Sequence, residues 1–363
     1  MSYESNPFST AFGVVPPLFV VVPDNNVVED VSRRLQADVT TENVFMLYGT
    51  RGSGKTVALS AIEEKIEKDE RFVVIDLNSQ GNLLEDLVAK LYDTDEFCQK
   101  FITKNLNLSA YGIGLNVSSI PPAASLEAAF VKILEAIKKN NKRLLLVIDE
   151  ASKTKEMLLL ASTFNLVSRK KYPVYMILTG LTINISKLED AQDMTFLRRA
   201  EHILMQPLNF SIMQRDYRDV FEIGEIEAGK LALFTKGYPF AYQVLGKILW
   251  NQNETKITDK VLEEFDLYMA SNVYDKLWDS LTDTQRWYLC YMSSKESMTV
   301  AEILEITSQT HRNFANYRQS LINTGILTDS SRGELSFALP RFNDFVQRKI
   351  MILGLSSENN FGR

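Results

Sequence analysis

The sequence predicts an α/β protein: a parallel β-sheet with helices on both faces, then an all-helical stretch, then a small segment of helices and a hairpin. Three observations carry that expectation. Apolar runs of strand length at 44–48, 72–77, 143–148 and 174–178 alternate with stretches of helical periodicity. The first run opens into a glycine-rich turn that passes directly into a helical pattern, Val57, Ile62 and Ile66. From residue 207 the apolar spacing is helical until 325–339, where two short strand-like runs flank Arg332-Gly333.

The 363-residue chain is 45% hydrophobic and 24% charged, the balance of a folded globular protein, which excludes collagen-like, disordered and disulfide-scaffold architectures. Its net charge of −6 does not attract nucleic acid, so a DNA contact has to come from a local patch. Cys98 and Cys290 form no C-x-x-C pair and read as small buried hydrophobes. With His202 and His311 as the only histidines, the sequence argues against a His-rich zinc site and most imidazole chemistry. Chemistry therefore runs on carboxylates, Lys, Arg and an oxygen-held metal. The first residues lack a basic stretch followed by an apolar run, and no run of about 18 apolar residues occurs. The expected location is cytoplasmic, with no membrane insertion.

The first strand meets Gly49-Thr50-Arg51-Gly52-Ser53-Gly54-Lys55-Thr56-Val57, a full G-x-x-x-x-G-K-T pattern between a strand and a helix. Gly49, Gly52 and Gly54 permit the turn and the close approach by which successive backbone N–H groups point at phosphate oxygens. Lys55 is expected to reach the β- and γ-phosphates, and the Thr56 hydroxyl to ligate Mg²⁺. The third strand, Arg143-Leu-Leu-Leu-Val-Ile-Asp-Glu150, ends in two acids. Asp149 is expected to hold the Mg²⁺ and Glu150 to polarise the attacking water. The fourth strand ends at Thr179-Gly180, where a hydroxyl either orients the γ-phosphate or the water, or is an ordinary loop group. No Asn-Lys-x-Asp guanine reader follows a strand, so ATP/ADP is the expected nucleotide.

With these motifs in place, the chain resembles an AAA+ P-loop NTPase of the origin-recognition and archaeal-type ATPase branch, bordering the STAND P-loop ATPases. The resemblance covers most of the chain and rests on Gly49 to Thr56 and on Leu146-Val-Ile-Asp-Glu150, its two specific motifs, and further on Thr179-Gly180 and two later segments. Thr195-Phe-Leu-Arg-Arg-Ala-Glu-His-Ile-Leu-Met-Gln-Pro-Leu208 is similar to the family's entry into a helical lid. Thr235-Lys-Gly-Tyr-Pro-Phe240 is similar to the Gly-x-Pro start of a lid helix, which implies a place for Pro239 near adenine. The same resemblance implies that Arg199, in preference to Arg198, reaches a γ-phosphate, either of a neighbouring subunit or within the chain. Two departures stand out: Phe240 occupies the place of a lid Arg, and Val21-Val-Pro-Asp24 the place of a Gly-Arg pair.

Residues 106–120, alternating with Gly112 and Gly114, predict a β-hairpin insertion without Lys or Arg. The expected organisation is a P-loop core over 1–206, a helical lid over 207–270, a winged-helix domain over 271–355 and a flexible tail over 356–363. Helical signals at 210–220, 227–235, 240–250 and 258–269 build the lid. Those at 283–292, 300–307 and 310–324, followed by the hairpin, give the winged-helix order with 310–324 as recognition helix. Arg312, Arg318 and Arg332 are the candidate contacts to duplex DNA. Residues 271–363 nevertheless carry ten basic and ten acidic groups, so a protein partner or self-association is an equal alternative. The expected function is an ATP-hydrolysing, nucleotide-dependent switch coupled to duplex DNA. The alternatives are a STAND-like signalling ATPase whose winged helix docks protein and, less economically, a small-molecule kinase.

Overall fold

Five strands, β1 (Val44–Gly49), β2 (Phe72–Asn78), β3 (Arg143–Asp149), β4 (Val174–Leu181) and β5 (Glu201–Leu204), form a parallel sheet in the order β2-β3-β4-β1-β5. The computed structural model describes residues 4–19, 26–94, 98–100, 126–329 and 333–353. The expected hairpin at 106–120, the 21–24 segment, Arg332 and the 356–363 tail lie outside the described residues. The chain forms two compact units, one of Asn25–Tyr48 and Lys55–Met205, the other of Met1–Asp24, Gly49–Gly54 and Gln206–Arg363.

The first unit holds the sheet with helices α1 (Val27–Gln36), α2 (Lys55–Ile66), α3 (Leu83–Thr94), α4 (Leu126–Lys139), α5 (Lys155–Arg169) and α6 (Thr182–Glu189). Strands β1, β3 and β4 read as continuous apolar runs because both their faces are covered. Leu144, Leu146 and Ile148 of β3 pack with Met46, Ile75 and Met176 against α3, α4 and α5. Leu145 and Val147 turn the other way, joining Phe45, Leu47 and Ile177 beneath Leu35 of α1 and Leu59 and Ile62 of α2. Parallel strands put all their carboxyl ends at one sheet edge, and the β3-β4-β1 adjacency brings Asp149 and Thr179 together there.

The second unit is built from α7 (Phe210–Phe221), α8 (Glu225–Phe234), α9 (Pro239–Gln252), α10 (Asp259–Met269), a π-turn (Ala270–Tyr274) and α11 (Asp275–Asp279), then α12 (Asp283–Met292), β6 (Ser297–Thr299), α13 (Val300–Thr307), α14 (His311–Asn323), β7 (Leu327–Asp329), β8 (Glu334–Phe337) and α15 (Phe342–Leu353). Side-chain caps fix several helix starts. Thr258 and Thr310 accept from the N–H of Val261 and Asn313, and Thr282 with Gln285 and Thr299 with Glu302 form capping boxes. Strands β6, β8 and β7 pair antiparallel in that order. At three residues, β6 is too short to leave a periodic trace in the sequence. Among the described residues, no helix is long and apolar enough to cross a membrane.

Charged groups tie the end of this unit to its earlier helices. Asp266 on α10, its side chain 12% exposed, accepts two hydrogen bonds at 2.7 Å from Arg341 and one at 2.8 Å from Arg348 on α15. Tyr274 donates its phenol to the Pro340 carbonyl, and Lys236 reaches the Phe337 carbonyl at 3.1 Å. Asp266→Ala removes the acceptor shared by two guanidinium groups, leaving Arg341 with Asp344 at 2.9 Å, and chemical denaturation is expected to register a loss of about 2 kcal/mol, Asp266→Asn losing less.

In the sheet unit, Glu63 on α2 has its carboxyl pushed up to about 7, first by burial and then by the negative charges of Asp76 and Glu67. Between the ordinary carboxylate range and that value the folded chain keeps a proton that the unfolded chain has released, so stability falls as pH rises through the window. Glu63→Gln is expected to flatten that fall, as read by thermal melts from about pH 5 to about pH 8.

Candidate functional site

At the carboxyl edge of the sheet, the Thr56 hydroxyl in the first turn of α2 donates to Asp149 Oδ2 at 2.9 Å. The other Asp149 oxygen accepts the Thr179 hydroxyl. Thr179 Oγ1 in turn accepts the Glu150 N–H at 3.2 Å, and the Ala151 N–H reaches the Thr179 carbonyl at 2.7 Å. One carboxylate is thereby held from two sides, by a helix start and by the neighbouring strand.

Thr179 lies inside β4 and is fully buried. It is not a loop hydroxyl; its proton and one lone pair are engaged behind Asp149. Glu150 is exposed and takes a left-handed backbone conformation, φ +54°, directly after β3. A non-glycine residue there stores of order 1 kcal/mol of strain and turns its side chain away from the line of the strand.

The glycine-rich segment leaves β1 and enters α2 at Lys55, which is 8% exposed. Gly52 and Gly54 have φ of +74° and +85°, values that L side chains rarely adopt. Ser53 is buried, and its Oγ has no hydrogen-bond partner. The segment is packed by the start of α9. Tyr238 donates its phenol to the Arg51 carbonyl, and the Phe240 N–H reaches the Gly52 carbonyl at 3.3 Å. A Cβ on Gly52 would stand 2.1 Å from the Tyr238 oxygen, and one on Gly54 would stand 3.9 Å from Pro239.

Tyr238 is a contact that sequence reasoning misses. Its phenol is buried, which pushes its pKa well above the usual tyrosine value and keeps it a neutral donor. The available signal is its place inside the Gly237-Tyr238-Pro239 motif, of which only Pro239 carries an expectation. Arg198 and Arg199 end a 3₁₀ turn, Thr195–Arg199. Arg198 is paired to Asp190 at 2.7 Å, whereas Arg199 is exposed. Of the three candidate DNA contacts, Arg312 is exposed, Arg318 is bound to Asp329, and Arg332 lies outside the described residues.

A family model described as an ATPase domain predominantly from Archaea matches residues 32–230. The chain belongs to this archaeal-type ATPase family. A second model, a domain of unknown function, matches residues 271–346 of this ATPase. Among solved structures it is similar to a Walker-type ATPase of Pyrococcus abyssi, at 16% identity and a TM-score of 0.61, covering 88% of this chain and 95% of that one. It is also similar to the ORC2 protein of Aeropyrum pernix, solved as ADPNP-ADP complexes, at 12% identity and a TM-score of 0.55, covering 93% and 96%. At these identities the likeness is one of fold. No curated protein matches the chain.

The ATPase is an ATP-hydrolysing P-loop enzyme with an AAA+-like core. Thr179→Val removes the group that fixes Asp149 and satisfies the Glu150 N–H. Turnover is expected to fall about 10-fold, with Thr179→Ser near the unmodified enzyme, as measured by phosphate release at saturating ATP.

Proposed function

We propose that this ATPase is a nucleotide-dependent switch in which the 49–56 loop binds the ATP phosphates, Glu150 activates water, and the 271–353 region, a winged helix, passes the nucleotide state to duplex DNA. The observation that carries the reading is the Thr56–Asp149 pair, with Glu150 placed one residue on. The loop amides and the Lys55 ammonium bind the β- and γ-phosphate oxygens, and Pro239 stands beside the adenine. Glu150 accepts a proton from the attacking water, whose oxygen adds to the γ-phosphorus as the bridging oxygen leaves with its electron pair. Arg199 supplies positive charge to the γ-phosphate.

Thr56 and Asp149 fit Mg²⁺: two hard oxygen donors, 2.9 Å apart, at the end of the phosphate segment. When bound, the ion neutralises charge on the β- and γ-phosphate oxygens. No other carboxylate is needed, since Mg²⁺ keeps several waters and takes the rest of its ligands from substrate.

Support for DNA coupling comes from the helix-strand-helix-helix-hairpin order over 283–337 and from α14. Phe314 and Leu321 of α14 are buried, leaving His311, Arg312, Asn313, Asn316 and Gln319 exposed on one side. One observation favours the alternative, docking of a protein: Asp329 neutralises Arg318, and the region is balanced in charge.

Both readings are tested by ATP turnover with and without duplex DNA at low and moderate salt. Lys55→Ala is expected to lose ATP binding. Glu150→Gln is expected to retain binding while losing about 100-fold in turnover. DNA stimulation that weakens with salt and is reduced in Arg312→Ala supports DNA coupling. Turnover indifferent to DNA moves the assignment to a protein partner.

A further inference from the structure

Gly325 lies far downstream of the phosphate segment in sequence and touches it in space. It follows α14, with φ +71°, and closes that helix: its N–H bonds the Ile322 carbonyl at 2.8 Å, and the Ile326 N–H bonds the Leu321 carbonyl at 3.2 Å. Such a Schellman turn by itself asks for glycine. The surroundings ask for it a second time. A Cβ at Gly325 would stand 1.6 Å from Thr50 Cγ2, 2.9 Å from Thr50 Cβ and 3.4 Å from Thr50 Oγ1. Rotating Thr50 about χ1 could move its methyl group away, but its Cβ is fixed to the backbone. Relief therefore requires the phosphate segment itself to shift.

Gly333, at the other end of the same hairpin, separates the two demands. Its φ is +72°, and a Cβ there would meet nothing within 4 Å. The two glycines share the backbone requirement and differ in the neighbour.

From this geometry we infer that Gly325 is a positioning residue for ATP: its missing side chain sets where Thr50, and with it the phosphate-binding backbone, can lie. The Asp266–Arg341–Arg348 cluster, the Tyr274–Pro340 bond and the Lys236–Phe337 bond hold the end of the chain on the preceding helices, so Gly325 meets Thr50 as a fixed stop. On the opposite flank, Tyr238 and Phe240 bind Arg51 and Gly52. The segment is bounded on both flanks, and the region that matches a domain of unknown function contributes one of them. The inference rests on the proposal that this segment binds the ATP phosphates.

The experiment compares Gly325→Ala with Gly333→Ala in the full chain, reading thermal stability, equilibrium binding of a fluorescent ATP analogue, and the KM and kcat of hydrolysis. Both variants carry the left-handed strain, and Gly325→Ala, which also meets Thr50, is expected to lose more stability than Gly333→Ala. Gly325→Ala alone is expected to weaken ATP binding about 10-fold and to raise KM more than it lowers kcat. Adding Thr50→Ser, which deletes the methyl group at 1.6 Å, is expected to recover part of that loss. Equal binding by the two alanine variants, or no recovery with Thr50→Ser, overturns the inference. Should Gly325→Ala fail to fold, amide exchange of the unmodified chain decides. ATP is expected to slow exchange at 324–327 as well as at 50–56, and protection confined to 50–56 overturns the inference. Lys55→Ala separates this outcome from the parent proposal: undiminished ATP binding in that variant refutes the phosphate-binding assignment itself.

Discussion

The hydrogen bond from Thr56 to Asp149 is the constraint on which the remaining architecture depends. It joins the first turn of a helix to the last residue of a strand that is not that helix's neighbour in sequence. For the two to meet, β3 has to reach the same edge as β1, which a parallel sheet achieves, with β4 between them. The intervening strand then contributes chemistry of its own, because its Thr179 is where the second oxygen of the carboxylate finds a donor. A carboxylate fixed through both oxygens loses little entropy on meeting a cation. Placing one fully buried hydroxyl in β4 is a small cost for that order.

A second constraint acts on the glycine-rich segment. Its carbonyls at Arg51 and Gly52 are satisfied from outside the segment, by donors from Tyr238 and the Phe240 amide. Gly52 is required by this contact as much as by its own φ, since the phenol occupies the space of a side chain.

The sheet and its order of elements are legible in the sequence because strands buried on two faces write unbroken apolar runs, and because the Gly-x4-Gly-Lys-Thr and Asp-Glu segments each sit at a strand end. Helix starts are legible to within a residue or two where a side chain caps them, as at Thr258 and Thr310. The short strand β6 is not, for lack of length, nor is the fate of individual side chains. By residue type alone, Thr179 and Arg318 are groups free to meet phosphate. Burial in β4 against Asp149 and the charge of Asp329 on the strand that follows the helix give them partners inside the chain. Tyr238 and Gly325 escape notice because each is defined by a neighbour almost two hundred or more residues away.

The stretch that matches the ATPase family ends at residue 230, ahead of Tyr238 and Pro239. A gene segment carrying only that stretch would therefore transmit the signature of nucleotide use without the side chains that hold its glycine-rich backbone in shape. Recombination that swaps the end of this chain would thus also exchange the walls of its glycine-rich segment.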